Sequence, residues 1–143
     1  MSGASRGIYL ERRVAEILAK RGWFTIRAAG SHGIADVVAV APATVAFIQA
    51  KTDGAIRGLE WNRLWEVAGT YGAVPVVAQY GTRSHRAIIF VEITGPHKPR
   101  TREWPNVPWH PHVIAAPRLD EATAEKVAEL ELERLNAIPP RMP

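Results

Sequence analysis

The 143-residue chain contains no cysteine, so neither a disulfide framework nor a thiolate zinc site is open to it. No apolar run approaches the ~20 residues of a membrane span, and the start lacks the apolar core of a signal peptide. The expectation is a cytoplasmic protein with no membrane partner. Internal repeats and low-complexity tracts are also missing, and the length suits one domain with a proper core. Lysine is scarce: 4 residues against 14 arginines, which makes any well-placed lysine stand out. Charge is unevenly spread. Residues 1–118 hold 15 Lys/Arg against 8 Asp/Glu, whereas 119–143 hold 3 against 6. A basic body with an acidic tail suits a polyanionic partner such as nucleic acid, or simply a soluble surface.

The most informative stretch is Gly33–Lys51. Two β-rich apolar runs, 34–40 and 45–50, flank a break containing Pro42, which reads as a hairpin. With the turn centred between Pro42 and Ala43, antiparallel partners sum to 85 and Asp36 stands opposite Gln49. Side chains alternate faces along a strand, so Lys51 shares that face. Both strands are apolar on both faces, as in a pair buried within a sheet. A carboxylate there must be paired or bound to a metal, and perturbed ionisable groups in such settings cluster at functional sites.

Residues 5–21 read as an amphipathic helix with Leu10, Val14, Ile17 and Leu18 on one stripe, ended by Gly22. Glu11 falls on the margin of that stripe, either as an ordinary boundary residue or as a carboxylate reaching into a site beside the sheet. Trp23–Ala28 reads as a strand. It leads into the loop Ala29–Gly33, which is either a connector or a phosphate-approach loop with Arg27, Ser31 and His32 near. Arg57 follows Lys51 in a loop. Leu59–Tyr71 reads as a second helix capped by Gly72, with Trp61 and Trp65 in the core or a subunit interface. Val74–Tyr80 and Ala87–Ile93 read as strands, giving an α/β core with a mixed sheet. From Thr94 to Pro117, prolines, tryptophans and histidines predict an ordered loop or extended arm without regular structure. His110 and His112 lack a third metal ligand. Asp120–Ala137 reads as a helix with a moderate apolar stripe, expected to dock on the body or on a partner.

Glu11 on the first helix, Asp36, and Gln49-Ala50-Lys51 together resemble the PD-(D/E)xK nuclease superfamily. Arg6-Gly7 ahead of Leu10-Glu11-Arg12, then Arg27-Ala28-Ala29-Gly30-Ser31 and Asp36-Val37-Val38-Ala39, narrow this to the archaeal-type Holliday junction resolvases and their phage relatives. The resemblance covers about residues 6–93. It implies a restriction-endonuclease-like fold: a mixed central β-sheet flanked by helices, here with a C-terminal arm and helix added. The implied organisation is a nuclease core at 1–94, a basic Pro/Trp-rich arm at 95–118 and an acidic helix at 119–143 packed on the core or partner subunit. A phage-encoded relative would work in the host cytoplasm.

The resemblance also implies an activity: metal-dependent cleavage of four-way DNA junctions by paired symmetric nicks, in recombination and repair. Asp36, Gln49 and Glu11 would hold Mg2+, with Mn2+ as a substitute. Lys51 would orient or activate the attacking water, and Glu11, Asp36, Gln49 and Lys51 would form the catalytic set. Arg6, Arg12, Arg27, Ser31, His32 and Arg57 would contact DNA, and a homodimer would match the two-fold symmetry of the junction. The arm (Lys98, Arg100, Arg102) would extend the DNA surface. Gln49 departs from the pattern, since the family usually carries glutamate there. The amide oxygen can still ligate, but one negative charge is lost, so Gln49→Glu is expected to keep activity or lower the magnesium requirement. Three other readings compete with a junction resolvase: a flap or repair nuclease on the same fold, a catalytically weak branched-DNA-binding module, and an α/β domain with no nucleic-acid role.

Overall fold

Helix α1 (Gly3–Lys20) forms where apolar residues recur at helical spacing, and it buries Leu10, Val14 and Leu18 completely. Its end is a glycine stop. Gly22 sits at φ 89°, its N–H bonds the Ala19 carbonyl, and the Trp23 N–H reaches back to the Leu18 carbonyl. Only a residue without a Cβ takes that left-handed conformation cheaply. Helix α2 (Gly58–Tyr71) ends the same way at Gly72, φ 67°. These details come from a computed structural model that describes residues 3–28, 33–52, 56–81, 87–114 and 121–137.

Between the helices lies a six-stranded sheet in chain order: β1 (Phe24–Arg27), β2 (Val37–Ala41), β3 (Thr44–Lys51), β4 (Val74–Tyr80), β5 (Ile88–Ile93) and β6 (Asn106–Pro108). All neighbours are antiparallel except β3 and β4, which run parallel and are joined through α2. The mixed sheet expected from the sequence is thus present. The β2–β3 register runs from Val37↔Ile48 to Ala41↔Thr44, every pair summing to 85 as read from the hairpin. Pro42 and Ala43 make the turn, with Ala43 at φ 61°.

Alternation sends the two faces to different helices. Val37, Ala39, Ala41, Ala46, Ile48, Val76, Ala78 and Phe90 pack with α1. Phe47, Val77, Val91 and Ile93 pack with Trp61 and Leu64 of α2. Each fully buried aliphatic side chain contributes about 1.5–3 kcal/mol relative to exposure, so both layers are anchored by burial. Trp61 is a core residue, with Trp65 packed against it.

The segment after β5 differs from its expected irregularity, because it adds β6 to the sheet and folds back on α1. The Trp109 N–H donates to the Phe90 carbonyl and the Ile114 N–H to the Arg21 carbonyl, while Trp23 Nε1 donates to the His112 carbonyl at 2.8 Å. Trp109 stands edge-on to both Trp23 and Phe90. At its start, His97 stacks on Trp104 at 3.7 Å and its N–H donates to Asn62 Oδ1. Helix α3 (Glu121–Asn136) is different, with Val127, Leu130, Leu132 and Leu135 all exposed.

Candidate functional site

The odd-numbered side chains at the end of β3 and Asp36, just before β2, lie on the α2 face of the sheet, by the alternation that packs Phe47 there. That face opens into a cavity of about 470 Å³ lined by Glu11, Gly33, Ile34, Asp36, Gln49, Ala50, Lys51, Glu60 and Arg63. The four residues proposed for catalysis from the sequence are therefore brought together. Glu11 arrives from α1, Asp36 from the start of the hairpin, and Gln49 and Lys51 from its second strand.

Asp36 is held by the backbone at both ends of the residue. Its N–H donates to the Ile48 carbonyl at 2.9 Å, its carbonyl accepts from the Ala28 N–H, and its Oδ2 accepts the Ala50 N–H at 2.8 Å. Burial raises its carboxyl above the ordinary value. The Ala50 N–H and Lys51 oppose that shift, and the charge of Glu60 adds to it. Glu11 is raised as well, first by burial and then by Asp36, against the pull of Arg27. Arg27 Nη2 lies 3.6 Å from Glu11 Oε2. The two carboxyls thus stand in a negative, partly desolvated pocket, where a cation has something to neutralise.

Sequence reasoning assigned no role to Glu60 or Arg63. Glu60 Oε2 lies 2.5 Å from Lys51 Nζ, yet this oxygen is closed to solvent and has no partner in hydrogen-bonding geometry. Helical spacing one turn apart, after a lysine that ends a strand, was the only signal available for them. Arg6, Arg12 and Arg57 are exposed, Arg6 and Arg12 on α1 and Arg57 just before α2. Ser31 and His32 lie outside the described residues.

The donor set suits a hard divalent cation. It is all oxygen, from carboxylates and one amide. Among the described residues no three or more His, Cys, Asp or Glu are grouped to hold a metal by themselves. Magnesium does not require that, since one or two carboxylates with waters and substrate phosphate are enough.

The model of the archaeal Holliday junction resolvase (Hjc) family matches residues 2–92. The chain belongs to this family. It is a Holliday junction resolvase, hence a nuclease, and the matched span holds the whole cavity lining. Among solved structures, this resolvase is similar to Archaeoglobus fulgidus Hjc, a Holliday junction resolvase from an archaeal hyperthermophile determined at 1.6 Å resolution. The two share 28% identity at a TM-score of 0.50, over 64% of this chain and 80% of that one. No curated protein matches the resolvase. Its restriction-endonuclease-like fold agrees with the sheet order and flanking helices described above. Among the described residues no helix is long and apolar enough to cross a membrane.

Proposed function

We propose that this resolvase cuts four-way DNA junctions by paired, symmetric nicks, each a metal-assisted hydrolysis of one phosphodiester. One observation carries the reading. In a chain of the junction-resolvase family, Glu11, Asp36, Gln49 and Lys51 line a single cavity.

Magnesium, with manganese as a substitute, would be held by Asp36, Gln49 and Glu11, directly or through water, and would supply Lewis acidity together with a lowered pKa of bound water. The protein's own groups do the rest. Asp36 is fixed by the Ala50 N–H on Oδ2, which leaves its other oxygen free of that bond in a residue that lines the cavity. Lys51 is a compact point charge that orients the attacking water and steadies the phosphate. Water oxygen bonds to phosphorus as the bond to the leaving ester oxygen breaks, and the proton released by water balances the one taken up by the leaving oxygen. Arg27, 3.6 Å from Glu11, would meet a backbone phosphate beside the cavity. Together with Arg6, Arg12, Arg57, Ser31 and His32 it provides backbone contacts that position DNA without reading bases. A homodimer would place one cavity at each of two opposed strands. The acidic helix at 119–143 would pack on the second subunit, and the arm's Lys98, Arg100 and Arg102 would widen the DNA surface.

The test is cleavage of a labelled immobile four-way junction beside a linear duplex and a flap of matching sequence. Each is run with magnesium, manganese or EDTA, and Lys51→Ala serves as control. Metal-dependent nicks at symmetric positions in the junction alone, lost in the control, are expected. Preferential cutting of the flap would replace the reading with a repair nuclease. Junction binding with no cut in either metal would make the protein a branched-DNA binder.

A further inference from the structure

We infer that Glu60 supplies, from α2, the negative charge that the site lacks at position 49. The inference rests on the nuclease reading above and assigns a residue to which the resemblance gave no role.

Position 49 shares its face with Lys51 and lines the cavity, but its amide is neutral. A carboxylate there would stand beside both Asp36 and Lys51. Glu60 enters the same cavity from the opposite wall, and its Oε2 lies against Lys51 Nζ. The oxygen is shut off from solvent yet receives no directed hydrogen bond. Its cation partner is the Lys51 ammonium, so the carboxylate sets its charge directly against the lysine of the cavity. The first turn of α2 also favours an anion, since its free N–H groups carry the positive end of the helix dipole. A purely structural purpose explains the pair poorly: both side chains remain partly exposed, 22% for Lys51 and 41% for Glu60, and such pairs add little to folding. With Glu60 counted, the cavity holds Asp36, Glu60 and Lys51 together, two carboxylates and an ammonium, without any charge at position 49.

The experiment is a double-mutant cycle of wild type, Glu60→Gln, Gln49→Glu and the combined variant. Mn2+ affinity is measured without DNA, by the electron paramagnetic resonance signal of free Mn2+. Junction cleavage is measured alongside as kcat and KM. Glu60→Gln should weaken Mn2+ binding about tenfold, the scale of losing a supporting group at a metal site, and lower kcat with KM little changed. Gln49→Glu should restore both quantities in the Glu60→Gln background while changing wild type much less. Wild-type Mn2+ affinity in Glu60→Gln would overturn the inference, as would the same fold-change from Gln49→Glu in both backgrounds. Glu60→Asp guards against a folding defect: it keeps the charge and should keep most of the affinity, and a loss equal to that of Glu60→Gln would count against the proposal. Should wild type cut no junction at all, the nuclease reading fails, and the Mn2+ cycle still decides the role of Glu60.

Discussion

The Asp36 carboxylate accepts the Ala50 N–H at 2.8 Å, so the group that the site needs as an anion also ties the two hairpin strands together. Those two duties conflict. Burial and the neighbouring Glu60 raise its pKa, so the ionised form is costly in the folded chain before any cation arrives. Asp36→Asn keeps an oxygen acceptor for Ala50 and removes the charge. It should raise the melting temperature of the metal-free protein by a few degrees while abolishing cleavage.

The same shifts set a pH dependence. Asp36 and Glu11 both have folded-state values above their ordinary ones, so the folded chain takes up protons more readily than the unfolded one. Their contribution to stability is full below the ordinary carboxyl values and is lost as pH rises through the raised ones. Metal-free wild type should therefore gain stability as pH falls through the raised values toward the ordinary carboxyl range. Calorimetric melts across that range should show a shallower gain in Asp36→Asn.

Gly22 is where the arm packs against the end of α1. A Cβ there would lie 2.6 Å from the Ile114 carbonyl oxygen and 2.8 Å from its Cβ, at a φ of 89°. Gly22→Ala should cost about 1–2 kcal/mol from the backbone conformation alone and push Ile114 off the end of α1. Lower thermal stability together with faster proteolysis between β6 and Ile114 is the expected result.

Arg12 is exposed on α1, on the helix that also carries Glu11. If it meets a phosphate, Arg12→Ala should weaken junction binding without changing sequence preference. It should also flatten the plot of log affinity against log salt by about 0.9. An unchanged slope would remove Arg12 from the DNA surface.

Helix α3 exposes Val127, Leu130, Leu132 and Leu135, a load of apolar surface suited to a second subunit. Deleting 119–143 should convert a dimer to a monomer in light-scattering measurements and leave the monomer folded. Unchanged oligomeric state and stability would refute the packing role.

Much of this architecture was legible because it is local. Pro42 and the alternation around it fix the hairpin register, which carries Asp36, Gln49 and Lys51 to one face. Gly22 and Gly72 announce the helix ends. What stayed hidden depends on distant partners. Strand β6 is three residues long, contains a proline, and exists because Trp109 and the 111–114 backbone find Trp23, Phe90 and Arg21 across the fold. Glu60 reads as an ordinary first-turn acid until α2 is laid across the sheet beside Lys51.

The parallel pairing of β3 with β4 couples the closing of the sheet to the position of α2. Lys51 is registered to Gln79, and the chain between them contains all of α2. Non-local pairing of this kind forms late, because the intervening chain must be closed first. The helix that carries Glu60 and Arg63 to the cavity is thus also the connection that closes the centre of the sheet, so the two are built as one unit.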